Sequence, residues 1–291
     1  MASNGVIEVL FLLAPLVLVP LALTLLTPPE VFPFRWLARW GPPLAGAAVA
    51  ASFLVPRGGW AAALALPWLA LVVTVVPVAL GMLWSRGFSD VVVTARSVAL
   101  LFLPIGAGWL VLSRLGAQPL GFVEPIVLLT AVHFHFAGFL TLSLMAVTVG
   151  VLRDAWPRLS RAPVLGAVVG TPLLAAGITF SPGLELVGAT TLAAALTVFS
   201  IVLLAAARRL ASALLALSAC CFLLGMTLAV VYAVGEFAGR SFLSIARMAQ
   251  FHGVANALGS LFGLVGWTVG NAGRERSKRP IISAPCGAGS A

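Results

Sequence analysis

Long apolar runs recur along almost the whole chain, separated only by short loops, and this pattern leaves few solvents in which it can fold. The runs are residues 6–26, 41–55, 60–84, 91–113, 122–150, 163–180, 183–206, 212–235 and 247–270. Most reach the roughly 20 apolar residues needed to cross a bilayer as a helix. Charged residues make up 9% of the 291, against roughly a quarter in a soluble domain, so too few charges remain to keep the chain in water. In hydrocarbon every backbone polar group must be satisfied within the segment, which selects helices. The expected fold class is therefore all-α: a polytopic transmembrane helical bundle of about nine spans. Residues 1–272 form one transmembrane domain and residues 273–291 a basic, disordered cytoplasmic tail. The 41–55 run is short and rich in Gly and Ala, so it is the one segment that can be re-entrant rather than spanning.

The formal net charge of +9 suggests nucleic acid in a soluble protein. Here the basic residues sit mostly one to three at a time in short loops, as the positive-inside rule expects, so nucleic acid is excluded as a partner. Arg35 and Arg39, Arg86, Arg153, Arg158 and Arg161, Arg208 and Arg209, and the tail from Arg274 onward follow alternate spans. Arg57, Arg114, Arg240 and Arg247 are the basic residues of the other loops and their edges. That asymmetry puts the N-terminus outside and the C-terminus in the cytoplasm. Cys220, Cys221 and Cys286 lack metal-ligand spacing, and no phosphate loop is present, so no cofactor is expected.

Ionisable groups inside a membrane are costly and mark function by default. All three histidines fall in spans: His133 and His135 in the fifth, His252 in the ninth. In the expected topology they lie in the outer half, and Glu8, Glu124, Glu185, Glu236 and Arg247 edge the same side. At about 100° per residue, Glu124 and His135 return to within about 20° of one helix face, whereas His133 and His135 diverge by about 200°. His133 and His135 therefore cannot both face one cavity from a regular helix. On the ninth span Met248, His252, Asn256 and Ser260 follow at intervals of four and make one stripe, with Gly259 and Gly263 beside it for close packing. Tyr232 precedes Glu236 by one turn.

The run Ala131-Val132-His133-Phe134-His135-Phe136-Ala137-Gly138-Phe139 and the run Arg247-Met248-Ala249-Gln250-Phe251-His252-Gly253-Val254-Ala255-Asn256-Ala257-Leu258-Gly259 resemble the YndJ-like family of bacterial integral membrane proteins. The resemblance implies a multi-pass protein of the bacterial plasma membrane with a site near these two runs, and transport is the activity it suggests.

Three chemistries fit the polar groups. A carboxylic acid in an apolar cavity keeps its proton and acts as a general acid near neutral pH, histidine relays or accepts protons, and aromatic ring faces stabilise positive charge. That set suits a terpenoid-type cyclase or isomerase that protonates an alkene or epoxide of a prenyl chain, and it is similar to small membrane-bound terpenoid cyclases in chemistry and size. In this expectation Glu124 or Glu236 donates the proton, and His135 and His252 relay or accept it. His133, Phe134, Phe139, Tyr232, Arg247, Phe251 and Asn256 bind or orient a lipophilic substrate. The alternatives are a proton-coupled transporter or exporter of a small or lipophilic compound, and a metal enzyme ligated by the three histidines.

Overall fold

A computed structural model describes residues 2–26, 35–86, 88–152, 157–240 and 242–278. Every regular element among them is helical. Eight helices are long and apolar enough to cross a membrane: α1 (Gly5–Leu26), α3 (Gly59–Arg86), α4 (Val91–Leu115), α5 (Ile126–Leu152), α6 (Pro157–Phe180), α7 (Pro182–Leu210), α8 (Ala213–Phe237) and α9 (Ile245–Gly270). Each covers an expected run to within a few residues.

The expected span at 41–55 is corrected in two respects. Its helix, α2 (Arg35–Ser52), begins six residues earlier, at Arg35, and it is not among the eight. Its 18 residues rise about 27 Å, and they include Arg35, Arg39, Pro42 and Pro43, which dilute its apolar character. It nevertheless runs back along α1 and α3. A Cβ on Gly46 would lie 2.8 Å from the Pro15 carbonyl oxygen of α1, and one on Gly41 would lie 2.9 Å from Leu71 of α3. Its end is fixed by Arg114, which is 4% exposed near the end of α4. One guanidinium nitrogen of Arg114 donates to the carbonyls of Ser52 at 2.9 Å and Val55 at 3.0 Å, and the group lies 4.5 Å over the Phe53 ring.

Helix boundaries follow local chemistry. Asp90 caps α4 by accepting from the backbone N–H groups of Val92 and Val93, and Gly116, at φ +80°, closes it. The helix of α9 continues to Lys278, past the tail boundary expected at 272, while the rest of that tail, with Cys286, lies outside the described residues, as does Arg153. Close contacts between helices rest on glycine. A Cβ on Gly177 of α6 would lie 2.3 Å from the backbone of Glu185, and one on Gly188 of α7 would lie 2.5 Å from Leu174 N. Without a hydrophobic driving force in lipid, such backbone approach supplies the dispersion contact that holds helices together.

Candidate functional site

Three helices carry π-helical turns: Ala14–Leu18 in α1, Phe134–Leu140 in α5 and Met248–Gly253 in α9. The last two coincide with the two histidine-bearing runs. A π turn adds a residue to the helical repeat and shifts the face that later side chains present, which is why such turns recur at functional sites.

A cavity of about 730 Å³ opens among α1, α4, α5, α6, α7, α8 and α9. Its walls are mostly apolar, and its polar groups come from both runs and from two further helices. His133 enters from α5. Met248, His252, Asn256 and Ser260 enter from α9 as one stripe, at the spacing the sequence predicts, and Tyr232, Glu236 and Glu185 come from the adjoining ends of α8 and α7. Glu185 lies within electrostatic range of Glu236, and Tyr232 lies against Glu236.

The His252 ring is held by two neighbours. Its Nδ1 lies 2.8 Å from the Gly225 carbonyl oxygen, which can only accept, so Nδ1 carries a proton and, in the neutral ring, Nε2 holds the lone pair. The Asn256 amide donates to the His252 backbone oxygen at 2.8 Å and sits 3.3 Å from both ring nitrogens, beside the ring rather than in line with either. Gly225 makes this possible: a Cβ there would lie 2.6 Å from the Asn256 amide nitrogen. Behind the stripe, Ser218 of α8 donates to the Gly259 carbonyl at 2.6 Å, and Gly263 approaches Ser218 and Leu144.

His133 and His135 do point apart. His133 lines the cavity with His252 in electrostatic range and the Thr171 backbone against its ring, and its Nε2 is buried. His135 is fully buried and does not line the cavity. Its Nδ1 donates to the Ala131 carbonyl at 2.8 Å, and its Nε2 accepts from Trp68 Nε1 of α3 at 3.1 Å. Phe11 meets the ring edge-on, with centroids 5.1 Å apart. Both nitrogens are occupied, in one tautomer, with no proton to pass. His133, expected to orient the others, thus lines the cavity, and His135, expected to relay the proton, does not.

Glu124 lies in the turn before α5, outside the helical repeat expected to align it with His135, and it meets α4. Its carboxylate accepts from the Ser113 hydroxyl at 2.5 Å and from Leu128 N at 3.2 Å, closing the first turn of α5 instead of facing the cavity. Of the expected binding residues, Phe134, Tyr232 and Asn256 line the cavity, whereas Phe139 is buried elsewhere and Arg247 and Phe251 are exposed outside it. A metal site built on all three histidines loses its geometry, since His135 faces away. Among the described residues no three His, Cys, Asp or Glu side chains converge. Sequence reasoning gave no role to Trp68. A single N–H buried in an apolar span needs an acceptor, and that was the available signal.

The architecture and the cavity define a multi-pass helical membrane protein with a mostly apolar chamber, carrying a few polar groups, among its spans. The sequence profile of the YndJ-like protein family matches residues 9–260, and the chain belongs to that family. The uncharacterized membrane protein YndJ of Bacillus subtilis (strain 168) is 27% identical over 194 residues, covering 65% of this chain and 35% of that protein. The chain thus spans about a third of the length of the curated relative it matches. No solved structure matches.

Proposed function

We propose that the protein is a membrane enzyme that rearranges a lipophilic small molecule by acid–base chemistry, as an isomerase or terpenoid-type cyclase. The observation that supports this reading is that one apolar cavity is lined both by carboxyl groups (Glu185, Glu236) and by His252, whose Nε2 holds the lone pair in the neutral ring. The carboxylic acid of Glu236 adds its proton to a carbon–carbon double bond of the substrate, leaving a carbocation on the neighbouring carbon. Another double bond of the same chain attacks that centre and closes a ring. His252 Nε2 then removes a proton from the carbon beside the new cation, restoring a double bond. Proton return from His252 to the Glu236 carboxylate resets the site, so substrate and product share one molecular formula and no co-reactant is consumed. Phe134, Phe136 and Tyr232 supply ring faces for the cation, and the apolar wall keeps water from quenching it.

The test is metabolite profiling of lipophilic compounds in cells and medium, comparing wild type with Glu236→Gln, His252→Ala and Glu124→Gln. The expected result is loss of one product, with accumulation of an isomer of the same formula, in the first two variants and not in the third. A compound of unchanged identity that only redistributes between cells and medium would replace this reading with transport.

A further inference from the structure

The charge of the cavity runs against that of the chain. The protein has 17 basic and 8 acidic residues, yet among the described residues no Lys or Arg lines the cavity, while two of the eight acidic residues, Glu185 and Glu236, do. Neither carboxylate has a basic partner within ion-pair distance among the described residues. Glu185 is half-buried and Glu236 exposed at the edge of the chamber, so when ionised they turn negative charge toward it, and a bound cation takes the place of the proton that Glu236 carries as the acid. The remaining walls favour the same sign. Trp109, Phe134, Phe136 and Tyr232 bring aromatic rings to the chamber, and ring faces attract cations and repel anions.

We infer that the cavity binds lipophilic organic cations, with the cationic centre between Glu185, Glu236 and Tyr232 and the apolar body between α5, α6 and α9. An ammonium or other onium centre on a hydrocarbon body is the ligand class. The inference rests on the same cavity as the proposed enzyme: a site that stabilises a transient carbocation binds a stable cation of similar size and is inhibited by it. The apolar lining alone makes no distinction of sign, so the carboxylates and ring faces set the selectivity.

Tetraphenylphosphonium and tetraphenylborate have nearly the same shape and opposite charge, which isolates that selectivity. Equilibrium dialysis of the full chain in nanodiscs of zwitterionic lipid measures both, with empty nanodiscs as the background. The expected result is saturable binding of the phosphonium alone, weakened at least about tenfold by E185Q/E236Q, which corresponds to about 1.4 kcal/mol. Ser113→Ala, outside the cavity, retains it. Equal binding of the two ions, no saturable binding of the phosphonium, or full phosphonium binding by E185Q/E236Q overturns the inference. If the double variant does not fold, the single variants Glu185→Gln and Glu236→Gln are read by the same criterion. A chain that forms the rearranged product but shows no preference for the cation leaves the enzyme reading standing and removes this one. Selective cation binding without product does the reverse.

Discussion

Replacing Trp68 with Phe and His135 with Leu, singly and together, separates a structural histidine from a catalytic one. In wild type the Trp68 N–H donates to His135 Nε2 at 3.1 Å, with both side chains fully buried. Trp68→Phe leaves the imidazole lone pair without a donor, and His135→Leu leaves the indole N–H without an acceptor. Each orphaned group costs about 1–3 kcal/mol. The His135→Leu change also removes the Nδ1 donor to Ala131, but that carbonyl keeps the backbone N–H of Phe134. In W68F/H135L both orphans vanish together, and the cost that remains is the space left by the smaller phenyl ring. The double variant is therefore less destabilised than the sum of the singles. The coupling lies between about 0.6 kcal/mol, the average for hydrogen bonds between membrane helices, and about 6 kcal/mol, the two orphan costs together. Unfolding free energies from SDS titration in mixed micelles provide the four corners of the cycle. Coupling below about 0.3 kcal/mol refutes the buried pair as a stabilising unit. A second readout bears on function: the double variant retains product formation and phosphonium binding, because His135 does not face the cavity. Recovery of stability together with loss of both activities would return His135 to the working site.

Gly225→Ala should lower stability by about 1–3 kcal/mol and weaken phosphonium binding, because its Cβ would lie 2.6 Å from the Asn256 amide. Adding Asn256→Ala to G225A removes the clash and restores stability but not binding, as thermal melting and dialysis will show. Arg114→Met leaves the carbonyls of Ser52 and Val55 without their side-chain donor at about 1–3 kcal/mol each. A cysteine placed at Ser52, fully buried in wild type, should then react faster with a soluble maleimide. An unchanged labelling rate would mean that Arg114 does not hold the end of α2. Glu124→Gln weakens the carboxylate contacts at the start of α5 and should cost about 0.5–2 kcal/mol, seen as a lower melting midpoint with product formation intact.

The spans were legible because lipid gives the backbone only one economical conformation, and length and hydropathy then mark each helix. The stripe from Met248 to Ser260 was legible because a four-residue interval returns to one face even across a π turn at its head, and because Gly259 next to it allows close packing. What sequence alone did not provide was rotational phase. The divergence of His133 and His135 follows from helical geometry, but which of them meets the cavity was decided on other helices. Gly106 on α4 leaves a gap in which a Cβ would lie 2.6 Å from His135 Nδ1, and Trp68 on α3 offers that ring a donor from the other side. Those residues lie 29 and 67 positions away in the chain, and neither carries a local signal of its partner. Glu185 shows the same limit. At the start of a span it reads as a headgroup carboxylate, and only the Gly177 approach of α6 to α7, which presses against the Glu185 backbone, sets it at the edge of the cavity. Periodicity thus identifies which polar residues share a face, while small residues on distant helices determine what that face meets. The site is therefore as much a property of Gly106, Gly177 and Gly225 as of the histidines and carboxylates they position.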